Sequence, residues 1–365
     1  MTKLNNAQAT TIIRQEIDIP NLTSYLASRI PEIKLPIETQ QFKFGQSNPT
    51  YLLIDANQKR YVLRKKPPGK LLSTTAHAVE REFHILDALG KYTDVPVPKV
   101  YLLCKDNEII GTPFYVMEFL NGRIFEDVRL LSLSPNERKN CWFSLVNTLA
   151  KLHSVDYKAI GLGDYGKSSE FYSRQVRSLL KVSKAQAAVI DEDGNEVGAL
   201  PGLDEMIKWF KNNEIPDEAT ILHGDFKVFH PTESRVIGIL DWELSTIGHP
   251  LSDLANLLMQ FYASENAVKP LIGLKDAPNL LIPSADELIY EYCIKTKRKF
   301  PIPNFEYAIV FSFFRLAVIT QGIAARIAHK QASSSEAQNY ARMFKPISLI
   351  ALEIIEKNKL LKSKL

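Results

Sequence analysis

The chain has 365 residues, 45% of them hydrophobic and 24% charged. Those figures exclude a wholly disordered chain and allow a sizeable core, with two domains or lobes as the prior for this length. With 45 basic against 41 acidic residues the net charge is only +4, which gives little support to nucleic acid or an anionic membrane as the partner.

The N-terminus, MTKLNNAQATTIIRQEID, has no apolar core of the secretory kind, and no uninterrupted apolar run of about 18 residues predicts a transmembrane helix. Residues 1–35 form a predicted N-terminal helical extension. Leu22, Leu26 and Ile30 repeat every four residues in a helix over Asn21–Ile30, with Asn21 as its cap. Strand patterns follow at Gln41–Gly45, Thr50–Asp55 and Arg60–Lys65, separated by turn formers. Thr75–Leu89 is a predicted helix, with Val79, Phe83, Leu86 and Leu89 on one face. Lys99–Cys104 and Pro113–Phe119 are two more strands. Residues 36–120 therefore make a small, mostly antiparallel β-rich lobe with one helix.

Beyond Asn121-Gly122 the pattern turns helical, over residues 121–355. Pro135–His153 is a long amphipathic helix with Ser134 as cap and Pro135 in its first turn. Helical patterns follow at Phe171–Lys184, Leu203–Asn212, Pro250–Ala263, Ala285–Arg298, Asn304–His329 and Ser334–Lys357. Asp191–Ala199 is an expected exposed loop, and Val236–Asp241 a short β run. Trp242, Phe311, Phe313 and Phe314 are assigned to the core. Cys104, Cys141 and Cys293 lie far apart, with neither disulfide parity nor metal spacing, which suits a reducing or neutral compartment. His153, His230 and His249 likewise lack zinc-ligand spacing.

Residues 356–365 form a charged tail ending Ser363, Lys364, Leu365. A terminal S-K-L is an address read by the peroxisomal import receptor, so peroxisomal localisation is expected, against the alternative of a helical tail that ends this way by chance.

The chemistry-bearing segment runs from Ile221 to Glu243. Asp225 follows His223-Gly224, Asp241 follows an apolar run, and sixteen residues separate the two carboxylates. Phosphoryl transfer needs one carboxylate to take a proton from the nucleophile and another to hold Mg²⁺ on the nucleotide phosphates. Gly224 allows close approach of backbone to phosphate. By residue type alone, a cap and a turn aspartate explain the pair equally well. Arg64-Lys65-Lys66 reads as a solvated basic patch before Pro67-Pro68-Gly69, and Glu82 as a surface partner of Arg81 or Lys91. Gln46-Ser47-Asn48 contains no GxGxxG and by itself indicates only a turn. His223 is expected to be a structural hydrogen-bonding residue, and Asp253 an anchor for the loop.

HGDF followed by VIGILDWELSTIGHPLSDLANL, together with FGQSNPTYLL, YVLRKKPPGKLL, AHAVEREFHILDALG, VPVPKVYLLC, GTPFYVMEFLNGRIF and LAKLHSVDY, resembles the aminoglycoside phosphotransferase and choline kinase-like family. The resemblance covers about residues 40 to 330 and is strongest to the kinase-like domain associated with acyl-CoA dehydrogenases. It implies an α+β, protein-kinase-like two-lobe fold with ATP in the cleft, and an ATP- and Mg²⁺-dependent transferase acting on a small-molecule hydroxyl. Asp225 would be the catalytic base and Asp241 the Mg²⁺ ligand. Arg64, with Lys65 as the next candidate, would contact the α/β-phosphates, and Glu82 would pair with that cation. Ser47 and Asn48 would lie over the phosphates, and the backbone of Glu118 and Leu120 would bond adenine.

One departure is visible. The family's loop reads HGD, a few residues, Asp-Asn, an apolar residue and a β run, whereas about four residues are absent here between Lys227 and Val228. The fifth residue past Asp225 is His230 rather than the second metal-binding asparagine. Three explanations stand open: an inactive copy, a deletion introduced in gene prediction or splicing, or a rearranged loop in which Glu233, Glu243 or water completes the metal site. The dehydrogenase-linked resemblance and the tail suggest a hydroxyacyl-CoA acceptor. A kinase-like binding protein for nucleotide or acyl-CoA is the alternative. An antibiotic-modifying enzyme is disfavoured, because a polycationic drug calls for an acidic surface.

Overall fold

The structure is a computed structural model describing residues 10–11, 17–42, 48–67, 78–125, 127–224, 227–230, 233–265, 270–275, 277–331 and 336–363. The first part of the chain contains β1 (Thr10–Thr11), α1 (Ile19–Arg29), β2 (Glu38–Phe42), β3 (Thr50–Ile54), β4 (Arg60–Lys65), α2 (Val79–Tyr92), β5 (Val100–Cys104), α3 (Asn107–Ile110), β6 (Phe114–Glu118) and β7 (Arg123–Ile124). Then come α4 (Pro135–His153), α5 (Phe171–Ala187), α6 (Leu203–Asn212), β8 (Thr220–Leu222), β9 (Lys227–His230), β10 (Gly238–Leu240) and β11 (Thr246–Gly248). The chain continues with α7 (Pro250–Leu258), α8 (Ala285–Thr296), α9 (Phe305–Ala328), α10 (Ala337–Ala341) and α11 (Phe344–Lys362).

Local chemistry explains where these bounds differ from the predicted ones. Asp18, not Asn21, caps α1: its Oδ1 accepts the Asn21 N–H at 2.9 Å. The Asn21 amide instead donates to the carbonyls of Glu108 and Ile109, both at 3.1 Å. Ser134 does cap α4, in a capping box with Glu137. The predicted Ser334–Lys357 helix is two helices in its described part. Pro346 has no N–H to give to Arg342, so it is accommodated only in the first turn of a new helix, α11. The last turn of the predicted Pro250–Ala263 helix tightens to a 3₁₀ turn over Met259–Tyr262.

The chain divides into two compact units. One comprises Met1–Glu126, Asp156–Gly163 and Lys227–Ser245; the other comprises Asp127–Val155, Asp164–Phe226 and Thr246–Leu365. The first holds a six-stranded sheet of order β1-β2-β3-β4-β6-β5, antiparallel throughout. Alternation gives the sheet two faces. Tyr51, Leu53, Tyr61, Leu63, Phe114 and Val116 share one, where they bury with Leu22, Leu26 and Ile30 of α1. Arg64 and Tyr115, opposite one another in register, lie on the other. The first unit also contains a small antiparallel sheet of order β10-β9-β7.

The second unit is mainly helical and is built round α9, which packs against α5, α7, α10 and α11. An 18-residue window of α9 has mean hydropathy 1.7, apolar and long enough to cross a membrane, but 72% of that stretch is buried. It is a core helix: Phe311, Phe313 and Phe314 are 0–1% exposed. Phe210 meets all three elements of an aromatic cluster with Tyr307, Phe311 and Phe314 at centroid distances of 5.2–6.4 Å. The three cysteines are free and buried.

Candidate active site

Arg64 is the centre of a charged network within the first unit. Its place on β4 turns it towards Glu82 of α2, a helix that buries Val79, Ile85, Leu86 and Leu89 along with that glutamate. Arg64 Nε lies 3.1 Å from Glu82 Oε2, an ion pair without hydrogen-bond alignment. Arg64 Nη2 donates to Asp241 Oδ1 at 2.9 Å and to Glu243 Oε2 at 3.1 Å. Glu82 is 1% exposed and is gripped from its other sides, accepting from Asn48 Nδ2 at 2.8 Å and from the Tyr115 hydroxyl at 3.0 Å. Arg64 is therefore not part of a solvated basic patch, and Glu82 is not a surface residue.

Asp241 is presented by a strained turn. It follows β10 with φ 69° and ψ 64°, left-handed backbone that is costly for a residue with a side chain. Trp242, 1% exposed, pins the turn by donating from its indole to the Ile239 carbonyl at 3.0 Å. The Asp241 side chain stays 34% exposed, and that of Glu243 23%.

Burial and charge oppose one another here. Burial pushes the Glu82 carboxyl up to about 7, against the pull of Arg64 and the Tyr115 hydroxyl. Burial works against the charged Arg64, but Glu82 and the neighbouring acidic groups outweigh it and raise its pKa. Burial, reinforced by Glu82, holds the Tyr115 hydroxyl well above its ordinary value.

Of the other residues singled out by sequence, Asn48 is fully buried in this network. Lys65 lies on the opposite face of β4, in register with Phe114, and burial lowers its pKa. Glu118 ends β6; its N–H bonds to the Lys99 carbonyl at 2.7 Å and its carboxylate accepts the Lys99 N–H at 3.1 Å. The Leu120 carbonyl accepts from Gly122, and its side chain fills the space above Gly238, where an added Cβ would fall 2.0 Å from Leu120 Cδ1. Ser47, Asp225, Lys364 and Leu365 lie outside the described residues. Glu243, which the sequence offered only as one way of completing the metal site, and Tyr115, which it did not single out, both belong to the network.

The residues leading to Asp225 are built into the second unit. Asp253, at the start of α7, accepts the His223 N–H at 2.7 Å and the Gly224 N–H at 3.0 Å. Its Oδ2 lies 3.5 Å from His153 Nε2, and His153 Nδ1 meets the Tyr292 hydroxyl at 2.8 Å. Burial would raise the Asp253 carboxyl, but the His153 ring and these backbone donors prevail and hold it below its ordinary value. Asp253 thus anchors the chain that leads into the loop, as expected, and His223 is fully buried there. Gly224 has φ 83°, open to glycine at little cost. Strand β9 begins at Lys227, and His230 lies within it, paired with Arg123. The position five past Asp225 is therefore in a β ladder rather than in a loop.

The site chemistry suits a metal–nucleotide. Asp241 and Glu243 direct carboxylate oxygens at one point beside Arg64, and both remain accessible. Hard oxygen donors of this type are what Mg²⁺ takes, and a guanidinium suits phosphate. Among the described residues no group of three or more His, Cys, Asp or Glu forms a metal cluster. A divalent ion held here would draw its remaining ligands from phosphate and water, as Mg²⁺ commonly does.

The fold and this network define a kinase-like phosphotransferase, and comparison with known proteins agrees. Residues 38–287 match the phosphotransferase enzyme family, and the chain belongs to that family. It is 39% identical over 352 residues to rat acyl-CoA dehydrogenase family member 11, covering 93% of this chain and 44% of that protein. The chain spans less than half the length of the curated relatives it matches first. A candidate aminoglycoside phosphotransferase from Ralstonia eutropha superposes with a TM-score of 0.81 at 36% identity, covering 94% of this chain and 99% of that one. The streptomycin–ATP complex of an aminoglycoside phosphotransferase shares the fold, at TM-score 0.56 and 14% identity, over 92% of this chain and 99% of that one.

Proposed function

We propose that this protein transfers the γ-phosphoryl group of ATP, with Mg²⁺, to a hydroxyl of a small molecule of the hydroxyacyl-CoA class. The observation that carries the reading is the convergence of Asp241 and Glu243 on Arg64, itself backed by buried Glu82. When bound, the metal–nucleotide supplies the phosphoryl group and neutralises the charge that develops in transfer. Arg64 holds phosphate oxygens, and Glu82 keeps that guanidinium from swinging away. Asp241 and Glu243 would hold the cation. Asp225 takes the proton of the acceptor hydroxyl as its oxygen bonds to phosphorus and ADP leaves.

The acceptor class rests on the dehydrogenase relatives and is a matter of analogy. Where Leu365 is the free C-terminus, the Ser363-Lys364-Leu365 sequence would direct the protein to the peroxisome. A fluorescent protein carrying the last ten residues should collect in peroxisomes, and the same fusion ending in Ser363 should stay diffuse.

A second reading is favoured by one observation. Only Phe226 separates Asp225 from β9, so the loop that would carry a second metal ligand is missing. The chain would then bind nucleotide or acyl-CoA without turnover. Incubation with ATP, Mg²⁺ and a panel of hydroxyacyl-CoA thioesters, with ADP measured, separates the two. Acceptor-dependent ADP supports transfer; thermal stabilisation by ATP with no ADP from any hydroxyl acceptor supports binding alone.

A further inference from the structure

Helix α9 is the most apolar in the molecule, yet Arg315 stands in its middle, between Phe314 and Leu316. Its two terminal nitrogens, Nη1 and Nη2, both donate to the Gly224 carbonyl, each at 3.0 Å. Among the described residues no carboxylate pairs with it. Taking a guanidinium half out of water is costly, and an apolar side chain would suit this helix better if stability were all that mattered. What the guanidinium does provide is direction. The Gly224 carbonyl belongs to the peptide that joins Gly224 to Asp225, while Asp253 holds the Gly224 N–H from the preceding peptide at 3.0 Å. Gly224 is thus fixed on both sides, at a φ of 83°.

We propose that Arg315 is a positioning residue: it clamps the Gly224–Asp225 peptide and so sets the direction in which the Asp225 carboxylate leaves the loop. The clamp matters in a chain with so short a loop, because β9 begins at Lys227, only three residues past Gly224, and is paired to β7 and β10. A misplacement of about 1 Å is enough to cost on the order of 100-fold in rate. The inference rests on the phosphotransferase reading for its catalytic consequence, but not for the clamp itself.

The test compares wild type, Arg315→Met and Arg315→Lys by two readouts. The first is amide hydrogen exchange of the segment from Leu222 to Lys227. The second is the steady-state rate with ATP, Mg²⁺ and the acceptor found by the ADP screen. In Arg315→Met, exchange in that segment should rise by about tenfold or more. The kcat should fall on the order of 100-fold while KM for ATP changes less than about twofold. Arg315→Lys keeps a donor and a charge but not the fork, so it should recover about tenfold of the lost kcat and show intermediate exchange. Unchanged exchange in Arg315→Met overturns the proposal. So does faster exchange with unchanged kcat, or a kcat loss matched by an equal rise in KM for ATP. If wild type phosphorylates no acceptor, the functional reading fails, and the exchange comparison still decides the clamp. Should the Met variant not fold, the Lys variant decides alone, with wild-type exchange and kcat as the overturning result.

Discussion

Arg64, Lys65 and Lys66 are one run of cations in the sequence, and residue type cannot choose among them. Strand geometry does. Successive side chains on β4 point to opposite faces, so Arg64 meets Glu82 while Lys65 turns to the Leu63 side. Two predictions belong at this scale. Asp241→Asn keeps a side chain that tolerates left-handed backbone, so the fold should survive. On the proposed function it loses a charged cation ligand, so the extra thermal stabilisation that Mg²⁺ adds to ATP should disappear in the variant, as measured by melting with ATP alone and with both. Glu82 sets a pH dependence. Its folded carboxyl lies at about 7, above the ordinary 4.5. Between those values the folded protein holds a proton that the unfolded chain has released. The Glu82 contribution is therefore fully present below about 4.5 and is lost as pH rises through about 7, by at most about 3 kcal/mol. Urea unfolding of wild type and Glu82→Gln at pH 5 and pH 8 checks this: the variant should lack that part of the slope.

At the scale of elements, Asp253 shows how one buried carboxylate organises several pieces of chain. From the start of α7 it binds two consecutive N–H groups after β8 and faces His153 at the end of α4. Asp253→Ala would leave both N–H groups buried without their acceptor. The expected cost is about 3–5 kcal/mol, read from urea unfolding. Asp253→Asn, which retains an acceptor oxygen, should cost less. Helix periodicity made most helices legible: Pro135–His153 and Leu203–Asn212 have their predicted bounds, because Ser134 and the apolar stripes mark them locally. The break before α11 was missed, since a proline inside a periodic apolar run signals either a kink or a new first turn, and packing decides which. The Asn21 cap was missed because Asp18 and Asn21 are both capping residues near one proline. The choice fell to Asp18 once Asn21 was drawn to the α3 carbonyls.

At the scale of the whole molecule, the proposed activity turns on the short segment between Asp225 and β9. The strand that follows, β9, begins at Lys227 and pairs with β7 and β10. Inserting Ile-Asp-Asn-Leu between Lys227 and Val228 should restore the missing ligand and raise acceptor-dependent ADP formation by a factor of ten or more, because alignment and charge stabilisation dominate this chemistry. An insertion that leaves the rate of an active wild type unchanged would show that the short loop is complete as it stands.

The amino-acid sequence by itself determined most of the long helices and the main strands of the β-rich lobe, because periodicity and caps are local properties, and its motifs gave the family and through it singled out Asp241, Arg64 and Glu82. Only the tertiary structure decided that Lys227–Ser245 joins the β-rich unit, that Arg64 rather than Lys65 meets Glu82, that Glu243 and Tyr115 bond into the Arg64–Glu82 network, and that Arg315 reaches the Gly224 carbonyl. Those are matters of which face a side chain takes and which distant backbone it reaches, and they are settled only when strands pair and helices pack.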